Sequence, residues 1–97
     1  MTVSAPSPRV AEEDVSIRGT QADWMYSRRE GFHIACWQWN HPRRLLYAYR
    51  QPSGWCIRLV ENSKEVKRSF PYESLLLAAL RAEVLAEQLW GPYTCKT

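Results

Sequence analysis

The sequence predicts an α+β domain, in which a four-stranded antiparallel meander packs against one long C-terminal helix. Between residues 32 and 70, short runs rich in aromatic and β-branched residues alternate with residues that favour turns, a pattern typical of strands. After residue 70 the pattern changes to about 20 residues dominated by strong helix formers. The strands are therefore expected first and the helix last.

Four runs between turn residues are predicted to be strands: residues 32–39, 44–50, 55–61 and 65–70. The turns between them contain Pro42, the Pro52-Ser53-Gly54 sequence and the Asn62-Ser63 pair. Connections this short join antiparallel neighbours, so the strands are expected to form a meander.

The 97-residue chain is long enough for one domain. Residues 1–20 are poor in large hydrophobic side chains and include the acidic run 12–14, so they are predicted to be a disordered tail. Residues 21–97 are predicted to form a single α+β binding domain. Within it, residues 21–31 fit either a short helix or an additional edge strand, and the sequence leaves both open.

The composition also indicates where the protein acts. No positively charged segment followed by an apolar stretch opens the chain, so no secretory signal is predicted. The longest apolar run, residues 75–80, is too short to cross a bilayer. Three cysteines are an odd number and imply no closed set of disulfides. We therefore expect a cytoplasmic protein that does not associate with membranes.

The loop at Pro52-Ser53-Gly54 decides which side chains share a face of the sheet, because a shift of one residue exchanges the two faces. A three-residue loop is favoured, since proline fixes φ at the first turn position and glycine tolerates positive φ at the third. The core face would then hold Tyr47, Tyr49, Trp55, Ile57 and Leu59. A four-residue loop would turn both tyrosines to the other face, but it needs Gln51 in a helical conformation before a proline, which is disfavoured.

The next turn extends this expected core. A two-residue loop at Asn62-Ser63 places Leu59 opposite Val66 and Trp55 opposite Phe70. The core face would therefore be apolar across three strands, and the helix would cover it.

Positive charge is concentrated in one segment of the chain. Residues 28–70 contain nine basic and three acidic side chains, a net charge of +6, while the segments before and after it are weakly acidic. On the favoured register, Arg58 and Lys67 lie directly opposite each other on the uncovered face. Like charges in this position are unfavourable unless the face is solvated or an anion binds to it. The alternative is that the basic residues only keep the sheet soluble.

This arrangement suggests a nucleic-acid-binding face, with duplex DNA as the favoured ligand, because Lys and Arg gain affinity by releasing the counterions of phosphates and β-ribbons can enter a groove. The candidate binding residues are Arg43, Arg44, Arg50, Arg58, Lys64 and Lys67. Stacking on single-stranded bases is the less favoured mode, because it requires exposed rings and the tyrosines are predicted to face inward. Trp37 or Trp39 could still supply one ring.

The predicted helix has two apolar stripes. The sequence places Gly91-Pro92 at its end, Pro71 at its first position and Glu73 in its first turn. One stripe repeats at spacings of three and four residues: Leu75, Ala78, Ala82, Leu85 and Leu89. The other comprises Leu76, Leu77, Leu80 and Val84. A surface helix normally buries one apolar face. One stripe is therefore expected to pack on the sheet, and the other must be buried by a second segment of the chain or by another molecule.

The second apolar stripe suggests an alternative function. On this alternative the protein is a homodimer, or an adaptor or inhibitor that binds a protein partner through the helix. The candidate partner-binding residues are Leu75, Ala78, Ala82, Leu85 and Leu89. Residues 21–31 and the C-terminal residues 93–97 are the intramolecular covers that remain possible.

No catalytic or cofactor-binding motif is found, and no enzyme activity, metal, cofactor or small-molecule substrate is predicted. His33 and Cys36 are the only closely spaced pair of potential zinc ligands, and residues three apart on a strand point to opposite faces. A nucleophilic pair of Cys36 or Cys56 with His41 has no supporting signature. The chain has no phosphate-binding glycine loop.

Overall fold

A computed structural model describes Ile17 and residues 19–96. It confirms the α+β class, with an antiparallel sheet and a C-terminal helix, but the sheet has five strands and not four. The strands are β1 (Met25–Ser27), β2 (Phe32–Gln38), β3 (His41–Gln51), β4 (Gly54–Glu61) and β5 (Lys64–Tyr72), followed by α1 (Leu75–Trp90). They lie in the order of the sequence, each antiparallel to its neighbour.

The additional strand is β1, at one edge of the sheet, in the segment for which the sequence left helix and strand open. Most of the predicted tail, residues 1–16 and Arg18, lies outside the described residues. Ile17 is described, and it packs against the core. The described contacts of the core therefore include a residue before position 21.

The predicted register between β3 and β4 is wrong. Gln51 pairs with Gly54, so the loop consists of Pro52 and Ser53 alone. Leu46 consequently lies opposite Leu59 and Ala48 opposite Ile57, and all four side chains are completely buried. Tyr47 and Tyr49 face the other way, while Trp55, Ile57 and Leu59 lie in the core as predicted.

Gly54 explains why the prediction failed. It has a positive φ of 138°, but it belongs to the strand ladder and does not form a bulge after the turn. A Cβ at this position would lie 2.9 Å from the carbonyl oxygen of Tyr72 in β5. The glycine is thus required where the β5 backbone comes close, and this contact between distant residues leaves no local signal in the sequence.

The β4–β5 turn is the predicted two-residue loop, with Glu61 paired to Lys64. Asn62 and Ser63 both have positive φ, of 54° and 68°, as this tight hairpin turn requires. Two irregularities along β5 then shift the register. Leu59 therefore pairs with Lys67 and Trp55 with Tyr72, and the predicted core residues Val66 and Phe70 are exposed.

Helix α1 begins later than predicted. Pro71 lies in β5, after a cis peptide bond, and the N-cap is Ser74, whose Oγ accepts a hydrogen bond of 3.2 Å from the backbone N–H of Leu77. The helix ends at Gly91, with φ of 91°, as predicted.

Two β2 side chains hold the C-terminal end of α1. Trp37 Nε1 donates a hydrogen bond of 2.8 Å to the carbonyl oxygen of Gly91. Gln38 Nε2 donates to the carbonyl oxygens of Trp90, at 2.9 Å, and Pro92, at 3.0 Å. The last carbonyl groups of a helix have no partner within it, and these bonds satisfy those of Trp90 and of the two residues that follow the helix.

The core lies between α1 and one face of the sheet. Four alanines of the helix are completely buried against it: Ala78, Ala79, Ala82 and Ala86. Such small side chains let the helix come close to the sheet, and Trp24, Trp37 and Trp55 fill the remaining space. Ala48 is the small residue of β3 that faces this layer, and a tyrosine ring in its place would overfill it.

The segment before β1 is held to α1 by the buried carboxylate of Glu83. Its Oε1 accepts a hydrogen bond of 2.9 Å from the backbone N–H of Gln21. Its Oε2 accepts from the backbone N–H of Ala22 at 2.9 Å and from Trp24 Nε1 at 3.0 Å. Because all three donors converge on one side chain, Glu83 fixes both the path of this segment and the position of the Trp24 ring.

We expect Glu83→Gln to destabilise the fold by about 1–3 kcal/mol, because an amide offers one acceptor oxygen and its NH₂ group would face a buried donor. The free energy of unfolding, measured by urea denaturation, checks this. Glu87→Gln is the matched control, since Glu87 lies on the exposed side of the same helix. Equal midpoints for the two variants would contradict the role given to Glu83.

Candidate functional site

Each strand presents one set of side chains to α1 and the alternate set to the opposite side, which we call the open face. Within the described part of the chain, no helix covers this side. Its apolar and aromatic residues are Met25, Phe32, Ile34, Cys36, Leu45, Tyr47, Tyr49, Cys56 and Val60, and its charged residues are Arg58, Glu65 and Arg68. The open face therefore combines rings, aliphatic side chains and guanidinium groups.

Tyr47 lies near the centre of the open face. In the register of the sheet it stands between Ile34 on β2 and Arg58 on β4. Phe32 packs against its ring nearly edge-on, with centroids 4.9 Å apart and planes at 78°. The guanidinium carbon of Arg58 lies 5.8 Å from the ring centroid, within the range of a cation–π interaction.

Tyr47 and Tyr49 are half-buried, so part of each ring remains accessible to a ligand. They are two residues apart on the same strand and therefore about 7 Å apart along it. The register predicted from the sequence puts both tyrosines in the core, so it does not identify them as site residues. The only sequence signal for their position is that they alternate with Leu46 and Ala48. This alternation is equally compatible with the tyrosines facing the core and with the tyrosines facing the open side.

Two arginines lie directly opposite each other next to these rings. The partner of Arg58 is Arg68, and not Lys67 as predicted, because β5 is shifted by its irregularity. Glu65 joins the two: its Oε1 accepts hydrogen bonds from Arg58 Nε at 2.8 Å and from Arg68 Nη2 at 2.8 Å and Nε at 3.1 Å. The side chains of Arg58, Arg68 and Glu65 are 39%, 51% and 32% exposed.

The two guanidinium groups shift the protonation of their partner. The hydrogen bonds from Arg68 are the largest cause that lowers the pKa of the Glu65 carboxyl below its usual range, and the single hydrogen bond from Arg58 lowers it further. Glu65 in turn raises the pKa of Arg68. The cluster therefore holds two positive charges and one negative charge at neutral pH.

The other predicted nucleic-acid-binding residues do not share one surface. Arg44 faces α1, where its Nε donates to Glu61 at 2.9 Å, Nη1 donates to Gln38 at 2.8 Å and the guanidinium carbon lies 5.8 Å from the Trp90 ring. The guanidinium carbon of Arg50, near the other end of β3, lies 5.6 Å from the ring centroid of Trp55.

The three remaining residues of that set are exposed at separate places. Arg43 precedes Arg44 near the start of β3, and Lys64 opens β5 at the turn. Lys67 pairs with Leu59 and so belongs to the α1 side of β5, where it lines a small surface depression with Leu85, Gln88 and Leu89. Of the six predicted residues, Arg58 alone is assigned to the open face by strand register beside the tyrosines.

The stripe of α1 that was predicted to bind a partner is mostly buried against the sheet, and the other stripe is exposed. Leu75, Ala78, Ala82 and Leu85 are buried against the sheet, and Leu89 is 49% exposed. The accessible stripe is the other one, formed by Leu76, Leu77, Leu80 and Val84 at 37–49% exposure. Trp24 packs into the core and so leaves this stripe uncovered among the described residues.

The tryptophans of the β2–β3 region have different environments. Trp37 is completely buried, and its ring packs against that of Tyr93 with centroids 5.2 Å apart. Trp39, in the turn between β2 and β3, is 53% exposed. Trp39 is therefore the tryptophan of this pair that a ligand can reach.

The described residues contain no group of three or more His, Cys, Asp or Glu side chains that is arranged to hold a metal ion. They also include no helix with the length and hydropathy needed to cross a bilayer. Comparison of the chain with protein-family models, with curated proteins and with solved structures finds no match.

We expect the three cysteines to differ in reactivity. Cys36 and Cys95 are exposed and line one cavity of about 410 Å³ beside β2. Cys56 is 1% exposed, and burial raises the pKa of its thiol, so little of the reactive thiolate is available. Iodoacetamide should label Cys36 and Cys95 in the folded protein and Cys56 only after unfolding. Mass spectrometry of digested protein checks this, and fast labelling of Cys56 in the folded protein would contradict the packing of the open face.

Proposed function

We propose that the protein binds single-stranded nucleic acid through the open face, as a non-enzymatic binding module. The observation that carries the proposal is the position of Tyr47 and Tyr49 on the uncovered side of the sheet, next to the guanidinium groups of Arg58 and Arg68. Aromatic rings stack on unpaired bases, and guanidinium groups bind the phosphates that join them.

The spacing of the rings favours a single strand over a duplex. The two tyrosines are about 7 Å apart along β3. This is about twice the 3.4 Å rise per base in one strand of a duplex. Two neighbouring bases must therefore separate if each is to stack on one ring, which an unpaired strand allows. The duplex DNA mode requires a continuous basic surface, and the six residues expected to form it are divided between both sides of the sheet.

The charge of the open face supports the same ligand. Arg58 and Arg68 exceed the single carboxylate of Glu65 by one positive charge. A phosphate backbone is a ligand of the opposite charge, and its bases supply the flat apolar surfaces that the tyrosines and Phe32 can contact.

Arg68→Ala and Lys67→Ala form a matched pair that tests the proposal. Both remove one positive charge from neighbouring positions of β5, but Arg68 faces the open side and Lys67 the helix side. We expect Arg68→Ala to weaken binding of short single-stranded DNA and RNA oligonucleotides and to reduce the salt slope by about 0.7. Lys67→Ala should change the affinity and the salt slope much less. Fluorescence anisotropy over a salt series gives both quantities.

The ring contribution is measured in the same assay. Tyr47→Ala with Tyr49→Ala should weaken binding about tenfold or more, because each stacked base contributes about 1–3 kcal/mol. Tyr26→Ala is the ring control, since Tyr26 pairs with His33 and lies on the core side of the sheet. If wild-type protein binds no oligonucleotide at low salt, or if the tyrosine and control variants bind equally, the proposal is wrong.

The alternative function, association through α1, is supported by the exposed stripe of Leu76, Leu77, Leu80 and Val84. A second copy of the chain is the occupant we consider, because a two-fold axis would let each stripe cover the other. Each of the four side chains is less than half exposed, so the stripe falls well short of the roughly 800 Å² that each partner contributes to a stable complex. The stripe alone therefore favours weak self-association.

Leu80→Gln tests this alternative. If the stripe forms a dimer interface, light scattering coupled to size exclusion should show a concentration-dependent mass for the wild type that falls to the monomer mass in the variant. A monomer at all concentrations for both proteins would exclude self-association through α1. Leu89→Gln is the control, because Leu89 lies outside the stripe at similar exposure.

A further inference from the structure

Glu65 occupies the point at which the two arginines of the open face converge. One carboxylate oxygen, Oε1, receives three N–H groups: Nε of Arg58 and both Nε and Nη2 of Arg68, at 2.8–3.1 Å. Guanidinium groups bind phosphate oxygens through the same charge-assisted N–H···O hydrogen bonds that they make to a carboxylate. The carboxylate thus stands where a phosphate oxygen would be bound.

The strand pairing gives this cluster an excess of positive charge. Arg58 and Arg68 are held opposite each other by the register of β4 and β5, and like charges in this position repel. A single carboxylate compensates only one of the two charges. The positions of the backbones fix the pair whether or not Glu65 is in place, so a competing anion finds the two guanidinium groups already together.

Glu65 can be displaced because it is held at the surface. Its side chain is 32% exposed, and both arginines are more exposed still. Ion pairs at this degree of exposure are weak, since water screens them and both side chains lose freedom in forming them. Val60, opposite Glu65 on β4, offers its side chain no polar group.

We propose that Arg58 and Arg68 form a phosphate subsite and that Glu65 acts as an internal competitor, which the phosphate displaces. This inference rests on the proposed function, and it adds a position for the phosphate and a residue that limits the affinity. The phosphate bound between Arg58 and Arg68 would lie beside the Tyr47 ring, over which Arg58 already extends. A base on that ring and its phosphate would then be bound by adjacent side chains.

Glu65→Gln and Glu61→Gln test the subsite. Each removes one negative charge and one carboxylate that accepts a hydrogen bond from an arginine, but Glu61 pairs with Arg44 on the α1 side. The two variants therefore share the same net charge and differ in the face they affect. Glu65→Gln should bind single-stranded oligonucleotides about three- to fivefold more tightly at low salt. Its salt slope should be steeper by about 0.7.

A second readout does not depend on nucleic acid. Pyrophosphate titrated into ¹⁵N-labelled protein should shift the side-chain Nε–H signals of Arg58 and Arg68, and the shifts should saturate at lower concentration in Glu65→Gln. The signal of Arg44 should stay in place in both proteins. Arg58→Ala identifies the Arg58 signal and should abolish the response of Arg68.

The outcomes separate the subsite from the proposed function. If oligonucleotides bind and the two glutamine variants respond equally, the subsite is wrong and the proposed function stands. If no oligonucleotide binds but pyrophosphate shifts both arginines, the subsite stands and the proposed function is wrong. If pyrophosphate leaves both arginine signals unchanged, or if Glu65→Gln weakens oligonucleotide binding, the inference is overturned.

Discussion

The close approach of β5 to Gly54 is the constraint on which the rest of the structure depends. A Cβ at residue 54 would lie 2.9 Å from the carbonyl oxygen of Tyr72, so only glycine lets β4 begin where it does. This start leaves a two-residue turn and pairs Gln51 with Gly54. The pairing then fixes the facing of every residue in β3, because a shift by one residue exchanges the two faces. A single backbone contact thus places the tyrosines on the open face.

On the side of the sheet that packs against α1, this register places small residues of β3. Ala48 lies under a helix surface made largely of alanine, so α1 can approach the sheet closely, and three tryptophans complete the core. The bulky tyrosines of β3 would not fit there. Their exclusion from the core and their availability on the open face therefore have the same cause. Glu83 closes the remaining side by holding the segment before β1 against the helix.

The features that could be predicted from the sequence are those that local residues determine. Gly91 ends the helix, Asn62-Ser63 forms a two-residue turn, and the alternation of Trp55, Ile57 and Leu59 identifies the core side of β4. The facing of β3 could not be predicted in this way, since both of its alternating sets contain apolar residues. The irregularities of β5 have no local signal either, and they decide that Arg68 and not Lys67 lies opposite Arg58.

The candidate site shows why the charge of a segment says little about the charge of a surface. Residues 28–70 carry a net charge of +6, yet strand alternation divides their arginines between two sides of the sheet. Arg44 and Glu61 neutralise each other beside α1, and Glu65 offsets half of the pair formed by Arg58 and Arg68. What remains on the open face is a small excess of positive charge next to accessible rings. An extended strand of unpaired nucleotides matches that combination better than a duplex does, because its bases can contact the rings while its phosphates reach the arginines.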